Sequence, residues 1–353
     1  MLVQQGLAEA YHDVRLALGL DLTVANMINP FVLFLLGLVL GVLTGFFGVG
    51  GGFLLTPTLN ILGFPMVHAI GTGFFTLVGN TLFAAMRHQR LGNVDLRLGI
   101  AVGLLSTGGV ELGKRLVLYL EKLGLAGTYV RVVYIVLLVL ISILMLKEYY
   151  HYWKMKQDEQ RGEMTTTKER TFVPTGSVHR IGIPPKISLP RSGIHSISIW
   201  VIIASGILIG FFSGFMGIGG GVIGLPLLIY GIGVPTITAV GTSLVIVLLV
   251  SCYGTAVYGL TGSVVWIAAL IILAGSLFGV QLGVYATRYV TGMRIKILFG
   301  LLVLVVGVSV FLKQINMVTM SGYLAVGSAC ALCLVILIPL RKSIWPWTTR
   351  REI

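Results

Sequence analysis

Two nine-residue segments of this sequence are suited to chemistry on a charged ligand. Thr44-Gly-Phe-Phe-Gly-Val-Gly-Gly-Gly52 returns as Ser213-Gly-Phe-Met-Gly-Ile-Gly-Gly-Gly221. Each ends in three glycines, Gly50, Gly51 and Gly52 or Gly219, Gly220 and Gly221, and an apolar run follows. The pattern predicts a chain break and then a helix whose first N–H groups are bare. Such an end carries roughly half a positive charge and takes oxyanions. Thr44 and Ser213 stand at matching places before the glycines, and Thr72 and Thr242 match further on. Thr72, Thr76 and Asn80 fall at i, i+4 and i+8, one polar face on an apolar segment; Ser243, Ser251 and Thr255 share a face in the second copy. Neutral donors of this kind can replace an anion's hydration shell without trapping it by full charge. Back-bonding to helix carbonyls is their competing use. Glycines spaced at 37/41/45 and 206/210/214 instead suit close helix packing.

Enzyme chemistry fits poorly. None of the six histidines lies in an apolar span of the second copy, so Ser213 has no base, and no His, Cys or carboxylate cluster has metal-ligand spacing. The triple glycines lack the Gly-Lys-Ser/Thr of a nucleotide loop. Cys330-x-x-Cys333 sits inside an apolar run with no second pair to complete a metal site. No catalytic residue, metal or cofactor is expected. Glu111 and Gln281 occupy matching places, close to helix ends, as structural hydrogen-bonding groups or as a proton-coupling site.

The elements that carry these residues must cross a bilayer. Of 353 residues, 56% are hydrophobic and 10% charged, against about 25% charged in a soluble protein. Runs such as Phe31–Val49, Val130–Leu146, Ile199–Met216 and Val264–Val284 are almost free of charge and long enough for ~30 Å of hydrocarbon. Lys and Arg number 25 against 12 Asp and Glu, and they sit in the loops, where anionic lipid and topology account for them without nucleic acid. No cleavable leader is evident; residues 2–20 put Leu7, Tyr11, Val14 and Leu18 on one face of an interfacial helix.

The chain reads as a duplication. At an offset of 169, Gly37, Gly41, Gly45, Gly48 and Pro57 fall on Gly206, Gly210, Gly214, Gly217 and Pro226. After one inserted residue, Pro65, Gly92, Ser106, Gly109 and Gly113 fall on Pro235, Gly262, Ser276, Gly279 and Gly283. The expected division is an amphipathic segment at 1–30, a first repeat at 31–147, a basic linker at 148–196, a second repeat at 197–313, and an extra helix at 321–340.

Basic residues orient the repeats. If each glycine segment lies inside one ordinary span, the 25 Lys and Arg divide 14 to 11. If the chain turns back at each triple glycine, they divide 19 to 6, with the linker and C-terminus on the richer, cytoplasmic side. Length agrees, because Phe53–Leu62 is only ~15 Å as a helix, half a membrane. The expected fold is an all-α polytopic membrane protein with two inverted repeats. Each has a glycine-broken re-entrant hairpin and three transmembrane helices, and one C-terminal helix is added.

Together, Gly45-Phe-Phe-Gly-Val-Gly-Gly-Gly-x4-Pro57 and its copy, Gly71-Thr72 and Gly241-Thr242, and Gly113 and Gly283 resemble the sulfite exporter TauE/SafE (TSUP) family over roughly 31–312. The resemblance implies a multi-pass permease of the inner membrane that exports sulfite, sulfoacetate or a related organosulfonate, with the triple glycines and nearby hydroxyls around the substrate. The N-terminal 30 residues and the long linker exceed the family pattern. An inside-negative potential favours export of an anion without a coupling ion. Proton-coupled uptake through Glu111 and a non-transporting receptor or assembly factor are the other readings. The partners expected are a small anionic substrate and the lipid bilayer; the sequence leaves oligomeric state and substrate choice open.

Overall fold

A computed structural model describes residues 29–160, 184–189, 194–290 and 292–344 of the protein. The expected N-terminal amphipathic segment lies outside them apart from its last two residues.

Helix α1 (Pro30–Phe47) starts on the Asn29 side chain, which accepts from Phe31 N at 2.9 Å, and has proline in its first turn, where no N–H is needed. It stops at Gly48, in the left-handed region at φ 70°, whose N–H bonds back to Thr44 O. After the glycines comes α2 (Gly52–Ile61), a half-length helix. Its start lies against the end of α1, since a Cβ on Gly51 would meet Thr44 Oγ1 at 2.7 Å and Leu40 O at 3.5 Å. Its other end, Leu62, shares a cavity wall with Val32 near the start of α1. The chain therefore doubles back as a hairpin.

Pro65 starts α3 (Met66–Arg90), which ends with Arg87, His88 and Arg90 on the negative end of its dipole. Asp95 caps α4 (Leu96–Lys122) by accepting from Leu98 N at 3.1 Å. Helix α5 (Ala126–Gln160) has 35 residues, ~52 Å, longer than a bilayer core. Hydropathy drops at Lys147, where the linker was expected, yet the helix continues because Lys, Glu, Met and Gln are good helix formers. Two short strands, β1 (Lys186–Leu189) and β2 (Ile194–Ser198), pair antiparallel before the second half.

That half repeats the plan. Helix α6 (Ile199–Met216) stops at left-handed Gly217, and a short helix, α7 (Gly221–Pro226), runs on as a wider π turn through Leu227–Ile232. Then come α8 (Thr236–Gly259), α9 (Trp266–Ala286), α10 (Gly292–Gln314) and α11 (Val318–Ile344). Among the described residues nine helices are long and apolar enough to cross a membrane.

Packing exchanges partners between the halves: α1 lies on α9 and α4 on α6. A Cβ on Gly37, Gly41 or Gly45 would fall within 2.5 Å of the carbonyl oxygens of Ile272, Ser276 and Val280. A Cβ on Gly210 or Gly214 would strike Ser106 O or Val110 O in the same way. Small residues thus let two backbones touch. The equivalent helices α3 and α8 pack antiparallel at the centre: Gly71 adjoins Ser263, Phe74 adjoins Gly254, and Asn93 adjoins Gly241. Two thirds of the residues in the apolar windows of α3 and α8 are buried (67% each), against one third in those of α5 and α11 (33% each), so these two helices lie inside with the short helices α2 and α7.

Candidate functional site

The two glycine breaks meet in the middle of the molecule. A Cβ on Gly52 would lie 2.8 Å from Gly217 O, and one on Gly221 would lie 2.2 Å from Val49 O. Each glycine run has two requirements. Gly51 and Gly220 cap the short helices at φ 80° and 81°, where a side chain is strained, and Gly52 and Gly221 must touch the opposite break. Leu77 and Val247, matched at the offset of 170 and fully buried, wall the space beside Gly50 and Gly219.

Stopping a helix strands carbonyls at one end and N–H groups at the other. In this protein side chains supply five of the carbonyls. Gly45 O bonds His88 Nε2 at 3.0 Å, and Gly48 O accepts from Ser243 Oγ at 2.6 Å. Gly214 O accepts from the Tyr258 hydroxyl at 2.6 Å, Met216 O from the Tyr134 hydroxyl at 3.0 Å, and Gly217 O from Thr56 Oγ1 at 3.1 Å. The N–H ends are treated differently. Neither α2 nor α7 has a side-chain cap. Around them Thr44 Oγ1, Ser213 Oγ and Ser251 Oγ are buried without a partner. Thr44 adjoins Gly51, and Ser213 and Ser251 lie 3.7 and 3.6 Å from where a Cβ on Gly220 or Gly219 would stand. Five carbonyls at the breaks are thus bonded, while three hydroxyls beside the short helices' starts are not.

The remaining residues singled out by sequence sit elsewhere in the bonding scheme. Thr72 Oγ1 accepts from Val265 N and Thr242 Oγ1 from Asp95 N, both at 3.0 Å, so these threonines anchor the starts of α9 and α4 in the opposite repeat. Asn80 Oδ1 accepts from Ser276 Oγ, tying α3 to α9. Thr76 back-bonds to Thr72 O. Glu111 Oε1 accepts from Arg115 Nε at 3.0 Å, a partly exposed pair one turn apart, and Gln281 is exposed on α9. Exposed ion pairs contribute little. Glu111→Gln is therefore expected to change flux by no more than about threefold and to leave its pH dependence intact; a collapse of flux in reconstituted vesicles would make Glu111 a proton carrier.

Sequence reasoning passed over Thr56, His88, Tyr134 and Tyr258. One signal was available for two of them: His88 and Tyr258 match at the offset of 170, and both carry a donor.

A profile of the sulfite exporter TauE/SafE family matches residues 33–310. The probable membrane transporter protein YunE of Bacillus subtilis (strain 168) is 27% identical over 286 residues, covering 78% of this chain and 95% of that protein. A probable membrane transporter protein of Xylella fastidiosa (strain 9a5c) is 28% identical over 282 residues, 79% of this chain and 93% of its own. A third, from Haemophilus influenzae, is 41% identical over 69 residues, 17% of this chain and 26% of its own. No solved structure matches the chain significantly. Glycine-broken hairpins, nine apolar helices and a family match over most of the length lead to one assignment: the chain belongs to the sulfite exporter TauE/SafE family of membrane permeases.

Proposed function

We propose that this permease exports a small sulfur-containing anion (sulfite, sulfoacetate or a related organosulfonate) across the inner membrane, through the paired breaks at Gly50–Gly52 and Gly219–Gly221. The observation that carries the reading is the surplus of donors there: two uncapped helix starts with the unpartnered hydroxyls of Thr44, Ser213 and Ser251. Thr72, Thr242 and Asn80 form the outer frame of that site, bonded to the opposite repeat. An anion leaving a cell at 100 mV, inside negative, gains about 2.3 kcal/mol per charge, so potential supplies at least part of the drive.

The test is flux. Purified protein in sealed vesicles, with potential set by a potassium gradient and an ionophore, is expected to move sulfite or sulfoacetate toward the positive side. Vesicles that stay silent for both anions overturn the reading and favour a receptor. Movement that needs a proton gradient and ignores potential favours coupled uptake.

The same reading puts the linker and the C-terminus in the cytoplasm. Arg131 and Lys313, two of the six Lys and Arg that the 19-to-6 division leaves on the outer side, converge on Asn60 at the far end of α2: Arg131 Nη1 is 3.4 Å from Asn60 Oδ1, and Lys313 Nζ donates to Asn60 O. A cysteine replacing Ser177 is expected to react with a membrane-impermeant thiol reagent only after permeabilisation. Reaction in intact cells would reverse the orientation.

A further inference from the structure

The two hairpins follow one plan, and one matched pair of residues departs from it in chemistry while keeping the same bond. His88 and Tyr258 are equivalent at the offset of 170, and both are fully buried. His88 Nε2 lies 3.0 Å from Gly45 O, and the Tyr258 hydroxyl lies 2.6 Å from Gly214 O. Gly45 and Gly214 are equivalent too. In an unbroken helix their carbonyls would accept from the N–H four residues on, at Val49 and Ile218. The reversals at Gly48 and Gly217 take those donors away. A carbonyl left bare at membrane depth is costly. In each repeat a side chain from the following long helix, α3 or α8, replaces the lost backbone donor. It does so one residue beyond Thr44 or Ser213, the hydroxyls left without partners at the site.

The difference lies in what each donor does with a proton. A phenol holds one hydrogen and takes no second, whereas an imidazole can take a proton on its other nitrogen. Carbonyls only accept, so Nε2 of the neutral His88 ring carries the hydrogen and Nδ1 carries the lone pair. Nδ1 is buried and has no hydrogen-bond partner. The elements packed on α3 bring little that could replace it. Helices α1, α2 and α9 contain no Asp, Glu, Lys, Arg or His. Helix α8 offers Cys252, Tyr253 and Tyr258. Helix α4 carries Asp95 at its cap, bonded to Leu98 N, then Arg97, and beyond them Glu111, paired with Arg115, with Lys114, Glu121 and Lys122. Helix α5 carries Arg131, bonded to Gln314 and Asn60, and charged residues from Lys147 onward, while Arg87 and Arg90 flank His88 on α3 itself.

We propose that His88 and Tyr258 are the paired positioning residues of the two breaks, and that His88 makes the first break responsive to protons. A proton on Nδ1 puts positive charge on the ring that holds the backbone presenting Thr44 and Gly50–Gly52. It therefore tightens anion binding as pH falls, and by linkage the bound anion favours that proton. The second break, held by a phenol, does not respond. The inference rests on the anion-permease reading above and adds the group through which pH acts on it.

The experiment measures sulfoacetate flux, at clamped potential, in vesicles from about pH 5 to pH 8, where the charge of this substrate is constant. For the parent, the apparent KM is expected to fall several-fold toward the acidic end. His88→Gln keeps an amide N–H at the reach of Nε2 but cannot titrate; it is expected to carry flux with a flat pH profile. His88→Leu and Tyr258→Phe each strand a carbonyl and are expected to lose about tenfold or more in flux per folded molecule. A His88→Gln protein with the parent's pH profile, a flat parent profile, or full flux in His88→Leu overturns the proposal. A parent that moves neither sulfoacetate nor sulfite overturns the permease reading instead.

Discussion

Gly51→Leu and Gly220→Leu are each expected to abolish flux, by at least about 100-fold, or roughly 2.7 kcal/mol in the transport barrier. Both glycines sit at the reversal in left-handed backbone, φ 80° and 81°, where an L side chain costs about 1–2 kcal/mol. That strain is small for a membrane protein of this size, so the variants should still insert. What they lose is space. A Cβ at 51 would stand 2.7 Å from Thr44 Oγ1, and one at 220 would stand 2.5 Å from Ile209 Cγ2. The rest of the leucine must then lie over the uncapped N–H groups, where the anion would bind. Thr44→Val and Ser213→Ala separate site from strain, since they leave the backbone alone. Each removes one donor to a charged ligand, about 1.5–3 kcal/mol, and should lower flux tenfold or more. Monodisperse protein on gel filtration establishes folding, and tracer efflux gives the rate. Normal efflux in both leucine variants would make the triple glycines a packing device.

Much of this architecture is legible in sequence because glycine is a blunt signal. Three in a row, recurring at a fixed offset, identify places where backbone must reverse or touch backbone, and Gly48–Gly52 and Gly217–Gly221 do both. The lengths of the spans and the half-length of α2 follow from hydropathy and the rise per residue. Partners are not legible in the same way. Thr44 and Thr72 are the same residue type in glycine-rich surroundings, yet Thr44 Oγ1 has no partner and Thr72 Oγ1 holds Val265 N, 193 residues away. Nothing local distinguishes them, because the deciding atom belongs to the other copy. The same holds for Thr56 on Gly217 O and Ser243 on Gly48 O, which perform equivalent tasks from unmatched positions. Hydropathy also misjudges the end of α5, where helix propensity carries a polar sequence on to Gln160.

Gly41→Ala is expected to cost about 3 kcal/mol of stability while sparing the transport rate of the protein that survives. The added Cβ would lie 2.1 Å from Ser276 O and 2.8 Å from the carbonyl carbon and Cα of the same residue. These are backbone atoms of α9, so no rotamer change relieves the clash. The helices must part by roughly 1 Å to restore ordinary contact. Parting also loosens the seat of Gly279 on Leu38 O and of Gly283 on Val42 O in the same seam. Lipid tails are as apolar as the helices, so solvent exclusion does not make up the lost contact. Gly108→Ala is the matched control. It too is a glycine within a helix, but a Cβ there meets nothing within 4 Å, so the change should be neutral or gain up to about 1 kcal/mol from helix propensity. Thermal unfolding in detergent should therefore separate the two alanines, with Gly41→Ala melting well below the parent and Gly108→Ala at or above it. If both melted with the parent, the α1–α9 seam would be slack, and the close approach assigned to Gly37, Gly41 and Gly45 would be wrong. If Gly41→Ala kept its stability but lost flux, the seam would belong to the transport machinery, because α1 leads directly into the break.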